Sequence, residues 1–187
     1  LYFVRHAQTT YNQYHRMQGS QIDSELSEKG FLQAGLVAER LKNQHFDLVL
    51  CSPMKRTRQT LQLIMDAHCS EVLGNSVEMV DNLKERDWGS ASGMLYQDVD
   101  FENLPADAET RPDFAKRVLS VLEQYYEKNK DSKVLVVTHA GLIRNLLEDL
   151  FGFEKPSVYN VSVTVFKFCI DGNHKLIMEP CNAHLDD

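Results

Sequence analysis

The sequence predicts an α/β fold: a single three-layer α/β/α domain over residues 1–187, with a mostly parallel central sheet and an antiparallel edge hairpin. Apolar runs typical of strands alternate along the chain with segments of helical periodicity. Residues 133–138 carry a continuous Val/Leu stretch, which suits a strand covered on both faces. No repeat, low-complexity tract or linker interrupts the alternation, and this order favours parallel strands with helices on both sides of the sheet.

The first predicted strand covers residues 1–4, a short apolar run. Residues 6–26 are polar and predict a loop. Ser27 then suits the N-cap position of a helix, because its side chain can accept a hydrogen bond from a free backbone N–H group. The apolar positions of that helix are Phe31, Ala34, Leu36, Ala38 and Leu41.

The second predicted strand covers residues 47–51. Ser52 and Pro53 follow it and suit the N-cap and the first position of a second helix. That helix presents the apolar residues Leu61, Leu63, Ile64 and Met65, and a weaker third strand is predicted over residues 77–80.

The second half begins with an irregular stretch over residues 84–108 and an amphipathic helix over residues 114–126. Another helix is predicted directly after the Val/Leu strand, starting from His139. Residues 161–168 alternate in polarity, and an Asp-Gly-Asn turn joins them to residues 175–178. This pattern predicts the edge hairpin.

The composition excludes several classes of partner. The chain has 27 acidic and 20 basic residues and a net charge of -7, so we expect neither nucleic acid nor a membrane as its partner, because both favour a basic face. No apolar run approaches the roughly 18 residues that span a bilayer, and no signal peptide is visible. The cysteines contain no CxxC pair, which indicates reduced thiols in a cytoplasmic protein; they are Cys51, Cys69, Cys169 and Cys181.

Polar groups follow four of the predicted strands. Arg5 and His6 follow the first strand, Arg56 the second, Glu85 the third and His139 the Val/Leu strand. The carboxyl ends of parallel strands meet at one edge of a sheet, where open α/β folds build their sites. The sequence therefore predicts one pocket that holds two histidines, two arginines and a carboxylate.

Those residue types suit phosphoryl transfer without a metal ion or another cofactor. A neutral imidazole is a good nucleophile near neutral pH. Guanidinium groups hold the phosphoryl oxygens and disfavour protonation of the imidazole. A carboxylate can protonate the leaving oxygen and then activate water. Backbone N–H groups at the start of the helix after His139 offer a further anion site.

Four motifs resemble those of the histidine phosphatase superfamily, also called the phosphoglycerate mutase-like family. RHAQT from Arg5 resembles its Arg-His-Gly motif, and SPMKRTRQT from Ser52 resembles its second motif. LKERDWG from Leu83 is similar to its acid-bearing segment, and THAG from Thr138 to its second histidine motif. One such motif is weak support, but these four stand in the family's order.

The resemblance implies a phosphohistidine on His6 and acid–base work by Glu85. The full catalytic set that it implies is Arg5, His6, Arg56, Glu85 and His139. The substrate-binding set that we expect is Arg5, Asn12, Gln18, Gly19, Arg56, His139 and Ala140. No metal site and no cofactor are expected.

The sequence departs from the family pattern at Ala7, which replaces the usual Gly, and at Gln8, which replaces a frequent Glu. We expect Ala7 to narrow the pocket and to be tolerated. The Glu109-Thr110 pair resembles a Glu-Ser pair before a helix in the family, so it is expected either to contact the site or to cap the next helix. Arg144 is expected to make a structural ion pair.

The favoured function is hydrolysis of small phosphomonoesters, such as sugar or glycolytic phosphates, by a monomer or homodimer. One alternative is a cofactor-dependent phosphoglycerate mutase, which needs extra basic residues over the pocket; the sequence shows only scattered ones between residues 84 and 117. A second alternative is a catalytically silent member that binds a phosphorylated protein. The presence of all five catalytic residue types disfavours it.

Overall fold

A computed structural model describes residues 1–68, 77–130 and 132–185, and a central sheet organises them. Its strands lie in the order β3-β2-β4-β1-β5-β6. Strands β1 to β4 are parallel, whereas β5 runs antiparallel to both β1 and β6. The prediction of a mostly parallel sheet with an antiparallel edge hairpin is confirmed. The strands are β1 (Tyr2–Arg5), β2 (Leu48–Cys51), β3 (Val77–Met79), β4 (Val134–Thr138), β5 (Val163–Lys167) and β6 (Lys175–Cys181).

The α-helices of the described residues connect these strands. They are α1 (Thr10–Gln13), α2 (Glu28–Leu41), α3 (Lys55–Ala67), α4 (Arg111–Lys128) and α5 (Ala140–Phe151). Single 3₁₀ turns cover Asp81–Leu83, Gly89–Ala91, Tyr96–Asp98 and Ala183–Leu185. Ser27 caps α2 by accepting from the Gly30 N–H at 3.1 Å, as predicted.

Two apolar cores lie on opposite faces of the sheet. Successive strand residues point to opposite faces, so the residues of β4 alternate between the two cores. One core packs α2 and α3 on the sheet through Val4, Val49, Leu135, Val137, Val37 and Ile64. The other packs α4 and α5 on the sheet through Phe3, Leu50, Val134, Val136, Val118 and Leu146. The three-layer prediction is confirmed.

Three local predictions are wrong. The stretch 6–26 contains the one-turn helix α1, which Thr9 and Asn12 close with a reciprocal capping box. Helix α3 begins at Lys55 rather than at Pro53, because the preceding backbone is extended and the Ser52 side chain contacts His139 instead of capping a helix. The α2 side chains of Phe31 and Leu36 are exposed, and Val37 is buried in their place.

Within the described ranges, no helix combines the length and the apolar character that crossing a membrane requires. Cys51, Cys169 and Cys181 are free thiols. Cys69 lies outside the described residues.

Candidate active site

His6 lies at the carboxyl end of β1 and is almost fully buried. Its backbone N–H donates to the Thr138 carbonyl at 2.9 Å, which ties it to β4. Its ring Nδ1 lies 2.8 Å from the Ala7 carbonyl oxygen. A carbonyl only accepts, so Nδ1 carries the proton and Nε2 keeps its lone pair. Burial, with the positive charges of Arg56 and Arg5, holds the pKa of His6 well below 6.5.

His139 lies at the end of β4, and both of its ring nitrogens have protein partners. Nδ1 accepts from Arg56 Nε at 3.2 Å, and Nε2 lies 2.8 Å from Ser52 Oγ. Since Nδ1 accepts, Nε2 carries the proton and donates to Ser52. Burial, followed by the charge of Arg56, holds the pKa of His139 well below 6.5. The rings of His139 and His6 have centroids 5.3 Å apart.

Arg56, on the first turn of α3, is the largest fully buried side chain among the described residues. Its Nη2 donates to the Gly19 carbonyl at 2.8 Å, and Nη1 to the Ile22 carbonyl at 2.9 Å. Burial lowers the pKa of Arg56 to about 10, so it stays charged at neutral pH. A buried charge is tolerated only where acceptors surround it, and the first loop supplies them.

Gly19 has φ +62, and a Cβ there would lie 2.8 Å from Trp88 Cδ1 and 2.9 Å from the Arg86 carbonyl oxygen. Glycine is therefore required at this position by both its backbone conformation and its surroundings. The close approach lets the Gly19 carbonyl reach Arg56.

Arg5 and Asn12 approach His6 from the other side. Arg5 Nη1 donates to the Val158 carbonyl at 2.7 Å, and Arg5 Nε is buried without a hydrogen-bond partner in the described part of the chain. The Asn160 amide nitrogen donates to the His6 carbonyl at 3.0 Å and lies 3.4 Å from Asn12 Oδ1. Asn160 thus links the His6 backbone to Asn12, and no sequence motif indicated it.

Glu85 is seated on the N-terminus of α5. Its Oε2 accepts from the Gly141 N–H at 2.9 Å, and its Oε1 from the Arg86 N–H at 2.9 Å. A carboxylate is stabilised at a helix N-terminus by the helix dipole. A Cβ at Gly141 would lie 2.3 Å from Glu85 Oε1. The N–H group of Gly141, expected to serve a phosphate, therefore serves Glu85 in this structure.

Arg117 holds the backbone of the segment that carries Glu85. It donates to the carbonyls of Asn82 at 2.8 Å, Lys84 at 2.9 Å and Glu85 at 3.0 Å. Its Nε also pairs with Glu109 Oε1 at 2.6 Å. The Glu109-Thr110 pair was expected to contact the site or to cap α4, and the second alternative is confirmed, because Thr110 caps the helix while Glu109 binds Arg117.

These groups converge on one cavity of about 380 Å³ at the carboxyl edge of the parallel strands. We call Arg5, His6 and Arg56 its floor. His139 supports the floor from behind, because it is fully buried and is not among the cavity-lining residues. The sequence-predicted residues that do line the cavity are Arg5, His6, Asn12, Gln18, Gly19, Arg56, Glu85 and Ala140.

We call Trp88, Tyr96, Phe101 and Arg144 the rim of this cavity, which they also line. Trp88 and Phe101 meet edge to face at 6.1 Å. Arg144 is exposed, and its Nε donates to the Pro156 carbonyl at 3.2 Å. None of the ion pairs within residues 1–68, 77–130 and 132–185 includes it. The prediction that Arg144 makes a structural ion pair is therefore wrong.

The two departures from the family motif lie behind the floor. Ala7 is fully buried in the core beneath α2 and α3 and is not a cavity-lining residue. The Gln8 side chain accepts from Ser27 Oγ at 2.9 Å. The expectation that Ala7 narrows the pocket is therefore wrong, because its methyl group points into the core.

Comparison with known families gives a match to the model described as histidine phosphatase superfamily (branch 1), over residues 1–178. The chain belongs to the histidine phosphatase superfamily. The fold prediction and the resemblance of the motifs are thereby confirmed.

Relatives of this histidine phosphatase include two proteins of Arabidopsis thaliana. One, named metal-independent phosphoserine phosphatase, is 35% identical over 162 residues, covering 77% of this chain and 65% of its own length. The other, named phosphoglycerate mutase-like protein 4, is 33% identical over 195 residues, covering 91% and 79%. Among solved structures, Bacillus stearothermophilus YhfR superposes with a TM-score of 0.86 at 22% identity, over 98% of each chain, which supports the fold.

Proposed function

We propose that this protein is a metal-independent phosphatase that hydrolyses small phosphomonoesters through a phosphohistidine on His6. The observation that carries the proposal is the state of His6: a neutral imidazole whose Nε2 keeps its lone pair, held in a cavity beside the buried Arg56 and the partly buried Arg5. Relatives named as a metal-independent phosphoserine phosphatase and as a phosphoglycerate mutase-like protein support the same chemistry.

In the first step, His6 Nε2 attacks phosphorus and the bond from phosphorus to the ester oxygen breaks. Glu85, in its protonated form, gives its proton to that oxygen as it leaves. Arg5 and Arg56 hold the phosphoryl oxygens and stabilise the charge that spreads over them. Phosphorylation at Nε2 leaves a positively charged ring, which the Ala7 carbonyl stabilises through Nδ1–H.

In the second step, water attacks phosphorus and the bond from Nε2 to phosphorus breaks. Glu85, now a carboxylate, takes one proton from the water. Inorganic phosphate leaves, and His6 returns to its neutral form. The seat of Glu85 on α5 suits both steps, because it places the carboxyl group in the same cavity as His6 without burying it away from water.

His139 supports this chemistry from behind the floor. By accepting from Arg56 Nε and donating to Ser52, it fixes the direction of the Arg56 guanidinium plane. A direct contact from His139 to phosphate would require one of these two hydrogen bonds to be exchanged.

The cavity volume favours a small substrate, since pockets of about 300–1,000 Å³ accept drug-sized or smaller molecules. The phosphoglycerate mutase alternative receives less support. Three of the basic residues that it would recruit are engaged in ion pairs outside the cavity: Lys84 with Asp81, Arg111 with Glu148 and Asp149, and Arg117 with Glu109.

A cytoplasmic location belongs to the same proposal. Free thiols at Cys51, Cys169 and Cys181 suit a reducing compartment. Fractionation of cells that express the full-length protein tests it.

The deciding experiment measures phosphate release from a panel of phosphomonoesters, with and without EDTA, for the wild type, His6→Ala and His45→Ala. His45 is exposed and remote from the cavity, so its variant controls for loss of a histidine as such. We expect release that resists EDTA, persists in His45→Ala and disappears in His6→Ala. A base-stable, acid-labile phosphoryl label on the wild type would identify the intermediate. Release that EDTA abolishes, or that survives in His6→Ala, contradicts the proposal.

A further inference from the structure

The cavity has positively charged side chains both at its floor and at its rim. Arg5 and Arg56 lie beside His6, and Arg144 stands at the rim. Glu85 is the one carboxylate among the residues that line the cavity in the described ranges. A single phosphate group bound at His6 is held by the two floor arginines, and it leaves the Arg144 charge without a partner.

Helix geometry places Arg144 at the cavity. It follows Ala140 by four residues and Gly141 by three on α5, so it lies on the same helix face as these two cavity-lining residues. Its Nε–H donates to the Pro156 carbonyl, which orients the guanidinium group, and within the described residues its Nη groups have no hydrogen-bond or ion-pair partner. Burial lowers the pKa of Arg5; Tyr96 and Glu85 oppose this lowering, and the positive charge of Arg144 makes a smaller contribution in the same direction as burial.

The other rim residues are aromatic. Trp88, Tyr96 and Phe101 line the cavity together with Arg144. The guanidinium of Arg86 lies over the Trp88 ring, 4.8 Å from its centroid. The cavity of about 380 Å³ suits a short carbon skeleton that carries a phosphate at the floor and a second group at Arg144.

We propose, on the basis of the phosphatase function above, that Arg144 is a specificity-determining residue that binds a second anionic group of the substrate. The preferred substrates are therefore small phosphomonoesters that carry a carboxylate or a second phosphate a few bonds from the ester. Arg144 selects among substrates, and the floor performs the reaction.

The test compares ligands that differ only in the second group. 3-Phosphoglycerate and glycerol 3-phosphate differ by a carboxylate in place of a hydroxymethyl group. Fructose 1,6-bisphosphate and fructose 6-phosphate differ by a second phosphate. For each pair the ratio of kcat/KM is measured in the wild type, Arg144→Gln, Arg144→Lys and Arg58→Gln. Arg58 is exposed on α3 and does not line the cavity, so it is the matched control for loss of one positive charge.

We expect the wild type to prefer the member with the second anionic group in at least one pair, and this ratio to fall roughly tenfold in Arg144→Gln, the size of one charge-assisted hydrogen bond. The loss should appear mainly in KM, with partial recovery in Arg144→Lys and an unchanged ratio in Arg58→Gln. The pair that responds tells whether the second anion is a carboxylate or a phosphate.

If Arg144→Gln leaves the ratio of kcat/KM unchanged for both pairs, the inference is overturned. This holds even if every ester is hydrolysed and the proposed function stands. Equal losses for both members of a pair also overturn it, because they would place Arg144 on the transferred phosphate.

Calorimetric binding of the same ligands to His6→Ala, with and without Arg144→Gln, separates the two proposals. Selective binding that depends on Arg144 supports the inference even where the wild type releases no phosphate and the hydrolysis proposal fails. Binding without selectivity overturns the inference.

Discussion

The floor and the rim of the cavity are held in place in different ways. Each floor residue follows or adjoins a strand and makes buried hydrogen bonds, as Arg56 does to two carbonyls and to His139. The rim side chains come from irregular segments and from an exposed helix face, and Tyr96 and Phe101 are 46% and 52% exposed. The fold thus fixes the groups to which we assign the reaction and leaves the groups to which we assign substrate selection more exposed. Changes at the floor should stop the reaction, whereas changes at the rim should alter which substrate is used.

Among the substitutions that test this contrast between floor and rim, Arg56→Met should have the largest effect on activity. The substitution removes the guanidinium from the phosphoryl oxygens and breaks its hydrogen bond to His139, so kcat/KM should fall by roughly a thousandfold for every ester, as for loss of a transition-state donor. Steady-state kinetics measures the loss, and thermal unfolding verifies that the variant is folded. Arg58→Met, two residues away and exposed, is the control. A loss confined to substrates with a second anion would break the distinction between floor and rim.

A smaller effect is expected from Gly141→Ala, which acts on the position of Glu85 at the N-terminus of α5. The new Cβ would lie 2.3 Å from Glu85 Oε1 and must displace the carboxylate. We expect kcat to fall by about tenfold to a hundredfold, the range for an impaired general acid, with little change in KM.

Gly35→Ala in α2 is the matched control for this prediction, because a Cβ there meets no atom within 4 Å. It should leave kcat unchanged and raise the free energy of unfolding by roughly 0.5–1 kcal/mol, since alanine favours a helix interior. A Gly141→Ala enzyme with the wild-type kcat would show that Glu85 does not depend on this seat.

The smallest effect concerns pH and the two neutral histidines. The folded pKa values of His6 and His139 lie well below 6.5, so below pH 6.5 the unfolded chain binds protons that the folded chain does not. The free energy of unfolding should therefore fall as the pH decreases from 6.5, by up to about 1.4 kcal/mol per pH unit for each histidine.

Urea unfolding at several pH values between 7.5 and 5 measures that slope for the wild type and for His139→Asn, whose slope should be shallower. Equal slopes in the wild type and His139→Asn would show that His139 is not held neutral.

The floor could be predicted from the sequence because, in a parallel sheet, the positions of the strands along the chain determine which residues lie together at the carboxyl edge. Arg5, His6 and His139 directly follow strands, and the strands were recognisable from their apolar runs. Once the strands are parallel, their carboxyl ends must meet, and the residues that follow them converge without further information.

The supporting contacts could not be predicted, because they depend on packing between segments distant in sequence. The Ser-Pro pair after β2 suits a helix start, yet Ser52 contacts His139, 87 residues away. Asn160 reaches the His6 carbonyl from 154 residues away, and no motif marks it. Arg117 and Arg144 look like surface residues of amphipathic helices. Only the tertiary structure shows that Arg117 holds the segment of Glu85 and that Arg144 faces the cavity.

The position of β1 between β4 and β5 has a consequence for the synthesis of the protein. The strand that precedes His6 is synthesised well before its two sheet neighbours, which begin at Val134 and Val163. Contacts of such long sequence separation form late, because closing the long intervening chain is entropically costly. His6 therefore has no sheet to hold it until both neighbours have been made. Under the proposed function, a nascent chain that already carries His6 gains activity only when the sheet is complete.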